Sequence, residues 1–167
     1  AITRSNLWSS QPLPLTAACY IDNRLVYRLS GSTRGVEAAG RQLGGDRFEQ
    51  GATFWHDLKE QELPFFAGDM PLWRLSLPAA TVPLQLEGEQ LVDWGGAQRW
   101  LRTGMPAEKL RATVAAAGGH ATLFRGGDRT GEVFHPLAPP VHSLHQRLKQ
   151  AFDPRAILNP GRMYAGL

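Results

Sequence analysis

Two short stretches of the chain place arginine next to tryptophan. Trp73 precedes Arg74, and Arg99 precedes Trp100 shortly after Trp94. Arginine forms paired hydrogen bonds with carboxylates and phosphates and also stacks on aromatic rings. Tryptophan offers a large flat surface and one N–H donor. These side chains could therefore bind an anionic group or a planar ring, although tryptophan is more often part of a core.

The histidines and the cysteine carry weaker signals. His142 and His145 are spaced to share one helix face and could bind one metal ion, but no third ligand lies at a recognisable spacing. His56 and Asp57 could act as an acid–base pair, and a polar helix surface explains them equally well. Cys19 is the only cysteine, which excludes a disulfide framework and a cysteine-ligated metal site. The sequence therefore predicts no metal site.

Length and composition fit one globular domain. The chain has 167 residues, of which 43% are hydrophobic and 20% charged. Its net charge of +3 permits an anionic ligand without indicating nucleic acid. No apolar run reaches the ~18 residues of a membrane-spanning helix. The chain starts at Ala1, with no initiator methionine or signal segment, so we expect a fragment of a longer protein.

The common signatures of a complete catalytic unit do not occur in the sequence. Gly126 and Gly127 lack both the lysine and the strand–loop–helix context of a phosphate-binding loop. No nucleophile elbow of the serine hydrolases occurs either. We therefore do not expect the chain to act as an enzyme by itself.

Hydrophobic periodicity and turn residues predict an order of strands and helices. The strands are expected at 15–21, 24–29, 72–77, 90–94, 97–101 and 120–124, with turns at Asp22-Asn23 and Gly95-Gly96. The helices are expected at 33–43, 53–61, 107–117 and 141–152. Strand pairs joined by tight turns favour an antiparallel sheet over a doubly wound parallel one.

This order predicts an α+β fold. We expect an antiparallel sheet with helices packed on one face, ferredoxin-like in arrangement, followed by a C-terminal helix and an extended tail. The expected organisation is an N-terminal arm or linker over 1–14, the sheet and helix sandwich over 15–140, and the C-terminal helix with its Asn-Pro-Gly tail over 141–167.

Strand alternation assigns the arginines and tryptophans to faces of this sheet. Trp73 and Leu75 should lie on one face, with Arg74 and Ser76 on the other. If helices cover only one face, an open face carrying arginine and tryptophan should cover something else. A partner domain, a ring-shaped cofactor and a nucleobase all fit that requirement, and so does a purely structural interaction domain.

RNA binding is the main alternative function. A ferredoxin-like module with arginine and aromatic residues on an open sheet could stack bases or hold a protein partner. However, the aromatic-rich central-strand signature of such modules is absent, and lysine occurs only at Lys59, Lys109 and Lys149. We therefore expect no nucleic acid among the partners.

Three stretches together resemble a known family. The segment 145–164, with a helix, the Asp153-Pro154 stop and the Asn159-Pro160-Gly161 turn, looks like the C-terminal signature of FAD-linked oxidases. The segments 72–78 and 93–100 narrow the resemblance to the FAD-binding subunits of bacterial glycolate oxidases. The resemblance extends from the 15–29 hairpin to the tail.

The resemblance implies a position and a set of partners. The chain would be the C-terminal cap domain of a flavoprotein subunit, covering the FAD ring and the pocket for a 2-hydroxy acid. FAD would be bound mainly by the missing N-terminal half, and none is expected in this fragment. The partners would be that FAD domain, a homologous flavoprotein subunit and an iron–sulfur subunit. The location would be cytoplasmic, with peripheral attachment to the inner membrane through partner subunits as the other option.

The resemblance also suggests which residues meet cofactor and substrate. Arg74 could hold the substrate carboxylate or the electron-rich edge of the flavin, and Arg99 is a second candidate for the substrate. The candidate cofactor-binding residues are Trp73, Arg74, Trp94, Gln98, Asn159, Gly161 and Arg162. The catalytic candidates are Arg74 and His135.

One departure from the related 2-hydroxy-acid dehydrogenases affects the expected activity. Their catalytic members carry two histidines in a His-x-Gly-Asp-Gly-Asn-x-His stretch. Here Arg125 stands at the first histidine position, and His135 follows at a longer spacing. We therefore expect this subunit to assist electron transfer or assembly rather than to oxidise glycolate itself.

Overall fold

The computed structural model describes residues 1–164 and 166–167 and contains a six-stranded antiparallel sheet. The strands are β1 Leu15–Ile21, β2 Arg24–Leu29, β3 Leu72–Ser76, β4 Glu89–Asp93, β5 Gln98–Arg102 and β6 His120–Arg125. Their order across the sheet is β2-β1-β4-β5-β3-β6, and each neighbouring pair is antiparallel. The predicted α+β class is therefore confirmed.

The helices surround this sheet and extend beyond it. They are α1 Ile2–Ser9, α2 Thr33–Leu43, α3 Gly51–Glu60, α4 Ala107–Ala116 and α5 Pro139–Phe152. The Ser32 side chain accepts a hydrogen bond from the Gly35 N–H and so caps the start of α2. Asp22 and Asn23 have φ values of 48° and 59°, which confirms the turn predicted between β1 and β2.

Four of the strands follow a split β-α-β order. The strands β4, β5, β3 and β6 are neighbours in that sequence, and α4 connects β5 to β6. The connection from β3 to β4, in contrast, contains no helix. Pro78 and Pro83 lie in it, and proline disfavours a helix interior. The ferredoxin-like description stays a prediction.

Helices cover both faces of the sheet, so the expectation of helices on one face is wrong. On the face opposite Arg74, α4 contributes Leu110 and Val114 to a core with Trp73, Leu75 and Leu101. On the other face, which we call the Arg74 face, Leu58 of α3 packs in a second core. The second core also contains Cys19, Ile21, Leu63, Phe65, Phe66, Leu72, Leu91 and Trp100. The sequence could not show which face α3 covers, because an amphipathic helix has the same pattern whichever face of the sheet it packs against.

The second core covers only part of the Arg74 face. Cross-strand pairing places Arg74 opposite Trp100 on β5 and opposite Thr122 on β6. Trp100 is buried beneath Phe66 and Phe124, whose ring centroids lie 5.5 and 4.9 Å from its own. Arg74 itself is exposed. The Arg74 face is therefore half covered by this chain and half open.

The first residues form a helix, whereas we expected an arm or linker over 1–14. Ile2 and Ser5 of α1 are buried. The Asn6 Nδ2 donates to three backbone carbonyls, Ile2 at 2.9 Å, Ala79 at 3.1 Å and Gly95 at 3.0 Å. These bonds tie α1 to the β4–β5 turn. Local periodicity missed the helix because tertiary hydrogen bonds, rather than a broad apolar stripe, hold it in place.

The buried side chain of Arg99 also binds the β4–β5 turn. Its side chain is 1% exposed on the face opposite Arg74. Its guanidinium donates to the carbonyls of Gly96 at 3.2 Å, Val82 at 3.1 Å and Thr81. Because Thr81 and Val82 belong to the β3–β4 connection, Arg99 fastens that connection to the β4–β5 turn.

The C-terminal helix α5 has no buried residue. Its apolar stripe, formed by Val141, Leu144, Leu148 and Phe152, is exposed. The turn after the helix is nevertheless ordered by Asp153, whose carboxylate accepts from the N–H groups of Ile157 and Leu158 at 3.1 and 2.8 Å. Within the described residues, no helix has the length and apolar character needed to cross a membrane.

We predict that Arg99→Met lowers the free energy of unfolding by about 3 kcal/mol, because three buried carbonyls lose a charged donor. Arg74→Met, an equivalent change at an exposed position of the neighbouring strand, should change it by less than about 0.5 kcal/mol. Urea denaturation of both variants measures the difference. Equal stability of the two variants would contradict the structural role of Arg99.

Candidate functional site

A cavity of about 640 Å³ opens on the Arg74 face between β1, α3 and the β4–β5 turn. Its lining includes Trp55 and Leu58 from α3 and Trp94 and Trp100 from the β4–β5 hairpin. Its full lining is Ser9, Leu15, Thr16, Ala17, Ala18, Arg28, Trp55, Leu58, Lys59, Gln61, Asp93, Trp94, Gly95, Gln98 and Trp100. This volume and this mixture of aromatic walls with a few polar groups are typical of sites for ring-sized ligands.

The β4–β5 turn presents Trp94 in a strained conformation. Trp94 has a φ of 50°, which bulky residues rarely adopt, and 70% of it is exposed. Gly96, with a φ of 109°, is locked behind it, because a Cβ there would lie 2.6 Å from the Ala79 carbonyl oxygen. Strained, exposed aromatic residues are concentrated at functional sites. Trp94 is thus a candidate contact residue, as the sequence predicts.

Asp93 is a buried carboxyl group in the lining of the cavity. It is 9% exposed, and its Oδ1 accepts from the Trp94 N–H at 2.8 Å. Burial raises the pKa of Asp93, and the bond from Trp94 opposes that shift. Burial likewise raises the pKa of the Cys19 thiol, with a smaller contribution from Asp93. Both groups are therefore held closer to their neutral forms than in water.

Polar side chains continue from the cavity across the open half of the Arg74 face. Asp93 is opposite Gln98, and Gln98 is opposite Ser76, which in turn is opposite His120. Arg74 is two residues before Ser76 on β3 and therefore lies on the same face. The structure thus brings Arg74 and Gln98 to one surface, next to the cavity that Trp94 borders.

Trp73 and Arg99, in contrast, lie on the opposite face. Trp73 is 3% exposed, and the Arg111 guanidinium lies 5.5 Å from its ring centroid. Arg99 is occupied by the carbonyls described above. Neither reaches the cavity, so we do not propose Trp73 for the cofactor or Arg99 for the substrate. Strand alternation assigned Trp73 correctly to the face opposite Arg74.

His135 lies against the edge strand β6 and accepts a hydrogen bond from its backbone. The Ala121 N–H donates to His135 Nδ1 at 3.3 Å, and the Leu123 N–H donates to the Val133 carbonyl at 2.8 Å. The segment 133–135 therefore satisfies outward-facing N–H groups of the edge strand β6. Because Nδ1 accepts, a neutral His135 carries its proton on Nε2 and has no free acceptor nitrogen. This geometry does not support the expected catalytic role.

The three candidates in the tail lie far along the chain from the cavity lining. Asn159, Gly161 and Arg162 are all exposed. Asn159 has a φ of 46°, and its carbonyl accepts from the Arg162 N–H at 3.2 Å, which closes the predicted Asn-Pro-Gly turn. Their contact with a cofactor stays a prediction.

Sequence reasoning missed part of the cavity. Asp93 lay within the strand predicted at 90–94 and was not proposed as a site residue, and its burial depends on β1 pairing with β4. Trp55 and Lys59 come from α3, whose position over the sheet no local pattern gives. The proximity of Asp93 to the Gly95-Gly96 hairpin was the one signal that could have singled it out.

A small polar cluster lies on α3 and just after its C-terminal end. His56, Asp57 and Glu62 place one potential ligand atom each within 4.8 Å of the others. His56 and Glu62 are exposed, and exposed groups of this kind are common without a metal ion. The cluster is compatible with the polar helix surface considered for His56 and Asp57.

Comparison with known proteins identifies one relative. No protein-family model matches the chain, and no solved structure matches it. Among curated proteins, the chain is 48% identical over 160 residues to the glycolate oxidase subunit GlcE of Escherichia coli (strain K12). The alignment covers 96% of this chain but only 44% of that relative, so the chain spans less than half of its length. The resemblance read from the sequence is therefore confirmed.

We predict that Trp94→Asn raises the free energy of unfolding by about 1 kcal/mol, because asparagine tolerates positive φ and little buried surface is lost. The gain would show that Trp94 is retained at a cost to stability. Urea denaturation measures it, with Trp8→Asn as a control at a tryptophan in regular helix. A loss of stability as large as that of the control would contradict the assigned strain.

We predict that His135 makes stability depend on pH. Burial lowers the pKa of His135, with contributions from Arg111 and His120, so the folded state favours the neutral ring. The unfolded state then binds more protons, and stability falls as the pH drops from about 6.5 towards the lower folded-state pKa.

The measurement is the unfolding midpoint at several pH values for wild type and His135→Gln. Glutamine keeps an acceptor for Ala121 but does not titrate, so the slope below about pH 6.5 should become shallower. His56→Gln controls for loss of an exposed histidine. An unchanged slope in His135→Gln would show that this ring is not neutral in the folded protein.

Proposed function

The chain is a relative of a glycolate oxidase subunit, and we propose that it forms the C-terminal cap domain of a longer flavoprotein subunit. In this position its Arg74 face would cover the FAD ring and the pocket for a 2-hydroxy acid, and it would assist the oxidation of glycolate to glyoxylate. The observation that carries the proposal is the half-open Arg74 face of a chain that matches 44% of its relative. The RNA-binding alternative receives no support from the comparison.

The residues around the cavity fit the ring of FAD. Aromatic walls from Trp55, Trp94 and Trp100 suit a planar ring, and Asp93 and Gln98 supply hydrogen-bonding groups beside it. The bound ring would supply the acceptor for a hydride. The rest of FAD would be held mainly by the N-terminal half of the longer polypeptide, because this sequence contains no phosphate-binding loop.

Arg74 is the residue we assign to the substrate side. Its exposed guanidinium lies beside the cavity, on the same face as Gln98 and Thr122. A guanidinium in this position can bind the carboxylate of a 2-hydroxy acid. Because His135 has no free acceptor nitrogen, the proton acceptor is not supplied by that residue, in keeping with an assisting subunit.

The C-terminal helix provides a surface for the FAD domain. The exposed stripe of α5 continues into Ile157 and Leu158, which are 69% and 58% exposed. Apolar surface of this extent is usually covered by a partner. We assign it to the N-terminal half of the same polypeptide, and the turn with Asn159, Gly161 and Arg162 would follow it towards the cofactor.

The proposal includes an assembly and a location. The subunit would work with a homologous flavoprotein subunit and an iron–sulfur subunit in a multi-subunit bacterial complex. It would be cytoplasmic, with attachment to the inner membrane only through such partners.

The experiment is co-expression of this chain with the N-terminal half of its longer polypeptide. We expect the two parts to co-purify with FAD, and Leu148→Ser with Phe152→Ser to separate them, because the substitutions remove apolar contact area. Ser143→Ala and Gln150→Ala on the same helix serve as the matched control.

In the intact complex, Arg74→Ala should lower glycolate turnover by about tenfold to a hundredfold while FAD stays bound, as expected for loss of a charged hydrogen bond. Arg41→Ala, at an exposed position of α2, is the control. Absence of FAD from the joined halves, or full activity of Arg74→Ala, would refute the respective part of the proposal.

A further inference from the structure

We propose that Asp93, together with Gln98, recognises the imide edge of an isoalloxazine ring seated in the cavity. The imide edge is the part of the ring where one N–H lies between two carbonyl groups. This inference rests on the proposed function for the identity of the ring, and it adds a specificity-determining residue that neither the sequence resemblance nor the comparison singles out.

The first support is the unused acceptor of Asp93. Oδ1 is held by the Trp94 N–H at 2.8 Å, which fixes the orientation of the carboxyl group. Within the described residues, Oδ2 accepts no hydrogen bond, and Asp93 forms no ion pair. Asp93 is nonetheless 91% buried, since its exposed fraction is 9%. Oδ2 is not among the fully buried unpartnered atoms, so it keeps access to the cavity that Asp93 lines, and its acceptor position is open to a ligand N–H.

The second support is the position of Gln98. It is the direct cross-strand partner of Asp93 and lines the same cavity. Its amide can donate an N–H, whereas Asp93 offers an oxygen that accepts. An acceptor and a donor at neighbouring positions of a sheet face match a ring edge on which a donor N–H is flanked by carbonyl acceptors.

The third support is the shape and rigidity of the cavity. Trp100 is fixed by Phe66 and Phe124, and the backbone of the turn that carries Trp94 is held by hydrogen bonds from Asn6 and Arg99. Arg28 lies over the Trp55 ring at 5.6 Å from its centroid and donates to Thr16 Oγ1 at 3.0 Å. The framework of the cavity is thus preorganised, which favours a rigid ring over a flexible ligand.

The test uses this chain and two probes that differ by one methyl group. Riboflavin carries the imide N–H, and its N3-methyl derivative lacks it. Binding is followed by quenching of flavin fluorescence, which reports stacking rather than turnover. We expect riboflavin to bind about tenfold more tightly than the methylated probe, as expected for loss of one hydrogen bond to a charged group.

Variants connect the discrimination to Asp93. Asp93→Leu should bind both flavins with similar affinity, whereas Asp93→Asn keeps an acceptor oxygen and should retain most of the preference. Asp22→Asn, at an exposed turn, is the control. If Asp93→Leu fails to fold, equal binding of the two probes by the wild-type chain still refutes the inference.

Three results would overturn the inference: equal binding of the two flavins by the wild type, no binding of riboflavin at about 1 mM, or uridine binding as tightly as riboflavin. The last result would mean that a single pyrimidine ring suffices. None of these depends on recovery of FAD with the joined halves, so failure of this inference and failure of the proposed function can be told apart.

Discussion

The buried guanidinium of Arg99 is the interaction on which the arrangement of the site depends. One side chain gathers carbonyls from the β3–β4 connection and from the β4–β5 turn, and Asn6 reaches the same turn from α1. A buried cation is tolerable only when its donors are satisfied, so these segments must stay together. The turn that carries Trp94 therefore cannot relax, and its strained backbone persists.

The two faces of the sheet differ in how much of their surface is packed in a core. The face with Trp73 and Leu75 is covered by α4 and by the β3–β4 connection, whereas the second core covers part of the Arg74 face and leaves Arg74 exposed. The uncovered part of the Arg74 face carries polar side chains, which a hydrophobic core would not. This division explains how the sheet can bury a core on each face and still present an exposed polar surface around Arg74.

Local chemistry predicted the elements well and their assembly less well. Both predicted hairpin turns form, because Asp22-Asn23 and Gly95-Gly96 tolerate positive φ regardless of context. The alternation of side chains along a strand correctly placed Arg74 and Trp73 on opposite faces of the sheet, since this alternation has a fixed period of two residues. What failed depended on distant contacts: the placement of α3 over the Arg74 face, the helix at 2–9 and the burial of Arg99. Arg74 and Arg99 look alike in sequence, and only the β3–β4 connection decides which one is enclosed.

The thiol of Cys19 can serve as a chemical probe of local opening in the protein. Cys19 is 0% exposed and lies on β1 where this strand meets β4, beside Asp93 under the cavity. With its pKa raised by burial, the sulfur does not react while the second core covers it. An alkylating reagent can modify it only when the second core, including Leu58 of α3, opens over β1, so the labelling rate reports how often that core opens.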